Sequence, residues 1–279
     1  MNREVFVTVS DGNFKTLSHL TTGNFRATID DKPIQIVSLT ENAVPKRVAF
    51  LIDGSGSMRD GKYVWGLRLA AEILPYVGHE TRFAVFLFGE KLYRFLDFAD
   101  PPGLLKTKEL PAEWRYAHGR TGLFDAVGAV VQSLDHSGPD DAVLVFTDGG
   151  DNHSKLMGSK LRPVVMKSGV RVYALLTPNY SERVPEEVNG PEDLLSDVIE
   201  PSGGQLISVD PQPKAARLPR DAHSIMGQLE IPYRLEIKLP ERLAKDSKWK
   251  MELQGTDPKL AKKFHLIYPQ ELAACNPVP

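Results

Sequence analysis

The sequence has almost no cysteine: Cys275 is the single one in 279 residues. One thiol excludes an internal disulfide framework and any zinc site built on cysteines, and its place in a Pro-rich tail gives it no chemistry. An excess of either charge is also missing, since 34 Lys and Arg against 36 Asp and Glu leave a net charge of −2. Without a basic surplus to neutralise phosphates, nucleic acid is excluded as a partner. No run of about 18 apolar residues is present, so no helical membrane span is predicted. Internal repeats and low-complexity segments are absent too. What remains is the balance of a globular chain with a core, 42% hydrophobic and 25% charged, long enough for one or two domains.

Three regions follow from the patterning. Residues 1–45 read as β: Val5, Val7 and Val9 alternate, Asp11-Gly12-Asn13 marks a turn, residues 20–25 a short turn or single helical turn, and residues 34–39 a second strand. From 46 to 230 strands and helices alternate. Continuous apolar runs at 48–52 and 142–146 predict strands, the first of them buried on both faces, and further strands are predicted over 82–88 and 170–176. Helices are expected over 63–77, 121–134, 155–167, 192–200 and 214–229, and a short strand over 205–209. A strand over 92–98, reached through Gly89-Glu90-Lys91, implies one antiparallel hairpin. The fold class is therefore α/β, a doubly wound and mostly parallel sheet with helices on both faces. Residues 231–279 return to β, with strands at 233–239, 249–253 and 264–268. These are expected to pair with 1–45 in a small β-sandwich-like module. Trp65, Trp114 and Trp249 read as core or interface anchors.

Two strand ends carry the chemistry. Asp53-Gly54-Ser55-Gly56-Ser57 sets a carboxylate and two hydroxyls at alternating positions on a Gly-permitted loop, and Thr147-Asp148-Gly149-Gly150 adds a second carboxylate. In α/β sheets, ligands bind at the carboxyl ends of strands, and oxygen-only donors suit hard cations: Mg²⁺, Mn²⁺ or Ca²⁺. Few carboxylates and several neutral oxygens leave the bound ion net positive and able to attract an external carboxylate.

Asp-x-Ser-x-Ser after a buried strand resembles the metal-ion-dependent adhesion site of von Willebrand factor type A domains. Gly119-Arg120-Thr121-Gly122 is similar to that family's threonine loop, and Thr147-Asp148-Gly149 to its second aspartate motif. The resemblance implies that Ser55, Ser57 and Thr121 offer hydroxyl oxygens to the metal. Asp53 and Asp148 act directly or through water, and the sixth position is open to an acidic side chain of a partner protein. Arg120 departs from the commoner glycine. Asp151, Asn152 and His153 lie on the same rim but match no family position, and Thr121 is also expected to cap its helix. The ends of the chain (residues 5–9, Thr22 with Phe25, 29–33, and Ile36 with Ser38) are similar to the leader region of bacterial von Willebrand factor A-related proteins, many of them exported. The start, Met1-Asn2-Arg3-Glu4, lacks a signal pattern. The expectation is a secreted or periplasmic location if an export signal has been removed, and a cytoplasmic one otherwise.

Rival readings fit less well. Gly56 to Lys62 matches P-loop spacing, but Tyr63 stands where a Ser or Thr hydroxyl should hold Mg²⁺. An EF-hand loop begun at Asp53 fails at Met58 and Val64. No nucleophile elbow or zinc-hydrolase pair of histidines is present. The sequence thus points to a non-enzymatic interaction or adhesion module with no catalytic residues. A metal-dependent phosphoryl hydrolase or nucleotidase, and a scaffold stabilised by metal, are the alternatives.

Overall fold

Strands apolar at every interior position require apolar neighbours on both faces, and the computed structural model supplies them. It describes residues 2–11, 17–43, 45–74, 81–134, 138, 140–177, 190–209, 218, 222, 225, 231–239, 243–254 and 263–275. A six-stranded sheet contains β4 (Arg47–Asp53), β5 (Arg82–Phe88), β6 (Leu92–Leu96), β7 (Asp141–Thr147), β8 (Arg171–Leu176) and β9 (Leu206–Ser208), in the order β6-β5-β4-β7-β8-β9. All neighbours are parallel except β5 and β6. On β4, Val48, Phe50 and Ile52 join Leu69 and Ile73 of α1 (Lys62–Ile73) in one core. The alternate residues Ala49 and Leu51 join Val127 and Val131 of α2 (Leu123–Ser133) and Leu161 and Val165 of α3 (Gly158–Ser168) in the other. The doubly wound α/β class is therefore present.

Local details shift some boundaries. The strand expected to reach 98 ends at Leu96, because the Asp97 amide donates to the Asp100 carboxylate (2.9 Å) and turns the chain. α3 begins at Gly158 rather than 155, since the Lys155 and Leu156 amides donate to Asp125. The helix expected over 192–200 is α4 (Pro191–Leu194), continued by a π-helical turn at Leu195–Ile199 into α5 (Glu200–Ser202). Of the helix expected over 214–229, Leu218, Ala222 and Ile225 are helical and buried in the α1-side core. Its other positions, with Gly12, Asn13 and 75–77, lie outside the described residues.

Gly66 on α1 lets the helix approach the sheet closely: a Cβ there would stand 2.4 Å from the Phe146 ring. Overpacking of this kind costs about 1–3 kcal/mol. Gly66→Ala is thus expected to lower the urea midpoint with an unchanged slope. An unchanged midpoint would show that β7 yields easily.

Both ends of the chain meet in a second, seven-stranded sheet of order β12-β1-β10-β3-β2-β11-β13. Its strands are β1 (Asn2–Asp11), β2 (Phe25–Ile29), β3 (Lys32–Ala43), β10 (Ile231–Lys238), β11 (Ser247–Leu253), β12 (Phe264–Ile267) and β13 (Glu271–Leu272), with a 3₁₀ turn at Thr22–Asn24. Two face-to-face layers, as in a sandwich, are not what forms; one sheet curls on itself. The Met251 amide of β11 donates to the Tyr268 hydroxyl just past β12 (3.1 Å), and the Trp249 ring stands edge-on to Tyr268 at 5.1 Å. Those contacts bring opposite sides of the sheet together over Val5, Val7, Val9, Tyr233, Leu235 and Ile237.

Ion pairs join the two sheets. Arg234 of β10 pairs with Asp140, which Lys46 also reaches at 2.7 Å. Buried Arg171 lies between the rings of Phe6 (5.5 Å) and Tyr173 (5.4 Å). Burial pushes its pKa down, and Tyr173, Asp140 and Asp141 counter that. Among the described residues, no helix is long and apolar enough to cross a membrane.

Candidate metal centre

β4 has β5 on one side and β7 on the other, so successive connections leave its carboxyl end in opposite directions and open a crevice there. Asp53 is the last residue of β4, and Asp148 follows the last residue of β7. Asp53 is fully buried and held from two sides: its Oδ1 accepts from the Ser55 amide (2.9 Å) and its Oδ2 from the Thr147 hydroxyl (2.7 Å). The Ser55 and Ser57 hydroxyl oxygens stand 3.2 Å apart. The sequence therefore brings Asp53, Ser55 and Ser57 into one turn.

The electrostatics are unfavourable for a bare pair of carboxylates. Burial first, and then the charge of Asp148, push the Asp53 pKa up from 3.8 to about 7, although the bonds from Ser55 and Thr147 pull it down. Asp148 is also buried, and among the described residues neither of its carboxylate oxygens meets a hydrogen-bond donor. Among the described residues, a cation reaches it in the Lys62 ammonium at the start of α1, 4.0 Å from Oδ2 and itself donating to the Ser57 carbonyl (3.2 Å). A buried carboxylate with empty lone pairs is unstable unless a positive group completes it.

Thr121 is buried on a third loop. That loop is pinned to the serine turn, for Gly56 donates its amide to the Gly119 carbonyl (3.0 Å) and His118 donates to the Gly54 carbonyl (2.9 Å). A Cβ on Gly56 would lie 3.1 Å from that carbonyl, which explains the glycine. Thr121 does not cap α2, contrary to expectation. Gly122 holds the cap position without a side-chain bond, and the helix amides of Phe124 and Asp125 are met by Asp151 (3.0 Å) and Ser154 (2.9 Å). The Thr121 backbone is fixed instead by Asn152, whose Oδ1 accepts from the Thr121 amide (2.9 Å) while its backbone N–H donates back to the Thr121 carbonyl (3.1 Å).

Sequence reasoning missed Thr147, Lys62 and the positioning part of Asn152. The Thr147-Asp148 pair carried a signal, a hydroxyl beside the carboxylate; Asn152 offered only its presence on the rim. Arg120 is exposed, with its amide donating to Glu90 (3.2 Å). Among the described residues no three His, Cys, Asp or Glu side chains converge on a point; the polar groups at these strand ends are two carboxylates and hydroxyls, a composition that would suit a hard cation.

No family model matches the sequence, and no curated protein does. Solved structures do resemble the fold. The von Willebrand factor type A protein from Catenulispora acidiphila is 11% identical, with a TM-score of 0.50 over 97% of this chain and 73% of that one. The human COPII-coat protein Sec24c is 11% identical at a TM-score of 0.50, over 84% of this chain and 44% of that one. Proximal thread matrix protein 1 of the mussel byssus, in a structure with a zinc-occupied MIDAS motif, is 15% identical at a TM-score of 0.47, over 72% and 48%. With its mostly parallel sheet, its flanking helices and the likeness to the Catenulispora structure, the chain has the von Willebrand factor type A fold.

Proposed function

We propose that the protein is a non-enzymatic interaction module that holds a divalent cation, Mg²⁺ with Mn²⁺ or Ca²⁺ as alternatives, at the carboxyl ends of β4 and β7. Asp53, Ser55, Ser57, Thr121 and Asp148 would hold the ion. The observation that carries this reading is the Asp148 carboxylate, buried without a hydrogen-bond donor beside a second buried carboxylate. Bound there, the cation supplies a positive centre that recruits an Asp or Glu side chain of a partner protein. Nucleotide chemistry gains less support. The amides of Gly54, Ser55, Gly56 and Met58 are already donated to Phe88, Asp53, Gly119 and Ser55, so these amides are not free to cradle phosphates, and the two carboxylates repel them.

The direct test is titration of Mg²⁺ into chelator-treated protein by calorimetry, paired with affinity capture from native extract in Mg²⁺ or chelator. Binding of Mg²⁺ with metal-dependent capture is the expected result. Absence of any divalent-ion affinity would end the proposal, and turnover of a phosphoester panel would replace it with a hydrolase. Asn152→Ala removes the Oδ1 that accepts from the Thr121 amide, while the backbone bonds to the Thr121 carbonyl remain, and is expected to weaken Mg²⁺ about tenfold, as loss of a group behind a metal ligand does. The same calorimetric titration checks this, and an unchanged affinity would remove Asn152 from the site.

A further inference from the structure

Lys62 is the first residue of α1, where a positive side chain opposes the helix dipole. Nothing in the helix itself asks for a lysine there, and its first turn contains no acidic partner. The side chain nevertheless is only 13% exposed, folded back to the serine turn, with the ammonium on the Ser57 carbonyl and 4.0 Å from an Asp148 side chain that is wholly buried. Two elements distant in sequence, the start of α1 and the end of β7, thus place a fixed cation beside a carboxylate that lacks every other donor among the described residues.

We propose that Lys62 is a specificity-determining residue of this site: a built-in third charge that weakens the hold on the divalent ion and strengthens the hold on the partner's carboxylate. The inference rests on the metal reading above. With both aspartates ionised, the two carboxylates, the ammonium and a divalent ion leave the loaded site with one positive charge; without the ammonium, the loaded site is neutral. Before loading, the ammonium offsets one of the two negative charges that attract the ion. One side chain therefore acts with opposite sign on the two binding steps, at a separation where poorly screened charges interact.

The test compares the full chain with Lys62→Met, Lys62→Gln and Lys62→Arg. Mn²⁺ affinity is measured by electron paramagnetic resonance, and acetate affinity of the Mn²⁺-loaded protein by line broadening of ¹³C-acetate. Lys62→Met and Lys62→Gln are expected to tighten Mn²⁺ about tenfold and to weaken acetate severalfold, while Lys62→Arg keeps both near wild type. Thermal melting identifies any variant that fails to fold, in which case the other neutral variant decides. Mn²⁺ affinity that is unchanged or weakened in a folded neutral variant, or acetate affinity that does not fall, overturns the assignment to Lys62 and leaves the metal site standing. Failure of the wild type itself to bind Mn²⁺ overturns the metal reading, and this inference with it.

Discussion

Asp148→Asn is expected to abolish useful Mg²⁺ affinity and, in chelator, to make the protein more stable. The two effects have one origin. Asp148 is buried, its oxygens meet no hydrogen-bond donor among the described residues, and its charge helps hold the Asp53 pKa up near 7. Neutralising it removes the repulsion between two carboxylates in a poorly solvated crevice, a gain of about 1–2 kcal/mol near neutral pH. It also removes a charge that the ion needs. Groups that merely orient metal ligands contribute 10- to 100-fold in affinity, so loss of a donor itself should exceed about a hundredfold. Calorimetry with Mg²⁺ and melting in chelator read both numbers. A purely structural carboxylate gives the opposite pattern, with stability lost and metal affinity indifferent; that outcome would remove Asp148 from the donor set.

A second large effect concerns pH. The Asp53 carboxyl has a pKa of 3.8 in its ordinary state and about 7 in the folded chain. Between those values the folded chain keeps a proton that the unfolded chain has lost. On this group's account, stability in chelator is therefore greatest below about pH 4 and declines as pH rises through about 7. At roughly 1.36 kcal/mol per pH unit, the decline amounts to about 4 kcal/mol at most. Saturating Mg²⁺ should flatten the profile above neutrality, because the ion stabilises the ionised carboxylate and is itself bound more tightly as protons leave. Denaturant titrations across this range, with and without Mg²⁺, test the sign directly. In chelator Asp53→Asn should lack the slope; if it keeps the slope, another group is responsible.

How much of this was legible in the sequence depends on whether the cause was local. β4, β5, β7 and β8 were visible because burial on both faces writes itself as an unbroken apolar run, and Asp53, Ser55 and Ser57 because one tight turn gathers them. The hairpin to β6 followed from three turn residues. Helix starts were harder. Thr121 has the right residue type for a cap, yet α2 takes its caps from Asp151 and Ser154, nearly 30 residues later. That exchange is reciprocal, since Asp125 accepts from Lys155 and Leu156, and it is also what delays α3. The roles of Asn152 and Lys62 escaped notice for the same reason: each acts on a residue brought near only by the sheet. The curl of the second sheet depends on Tyr268 meeting β11, a contact no strand periodicity encodes.

The pairing of β3 with β10 also constrains the order in which the chain can be assembled. Ala43 lies opposite Ile231 across that pair, so the whole α/β layer is an excursion that leaves the curled sheet and returns to the same place. Among the described residues β1 pairs only with β10 and β12, strands synthesised more than 200 residues after it. On a ribosome, β1 must therefore wait without these partners while the α/β layer emerges and folds. A segment made before the α/β layer is thus enclosed only after it.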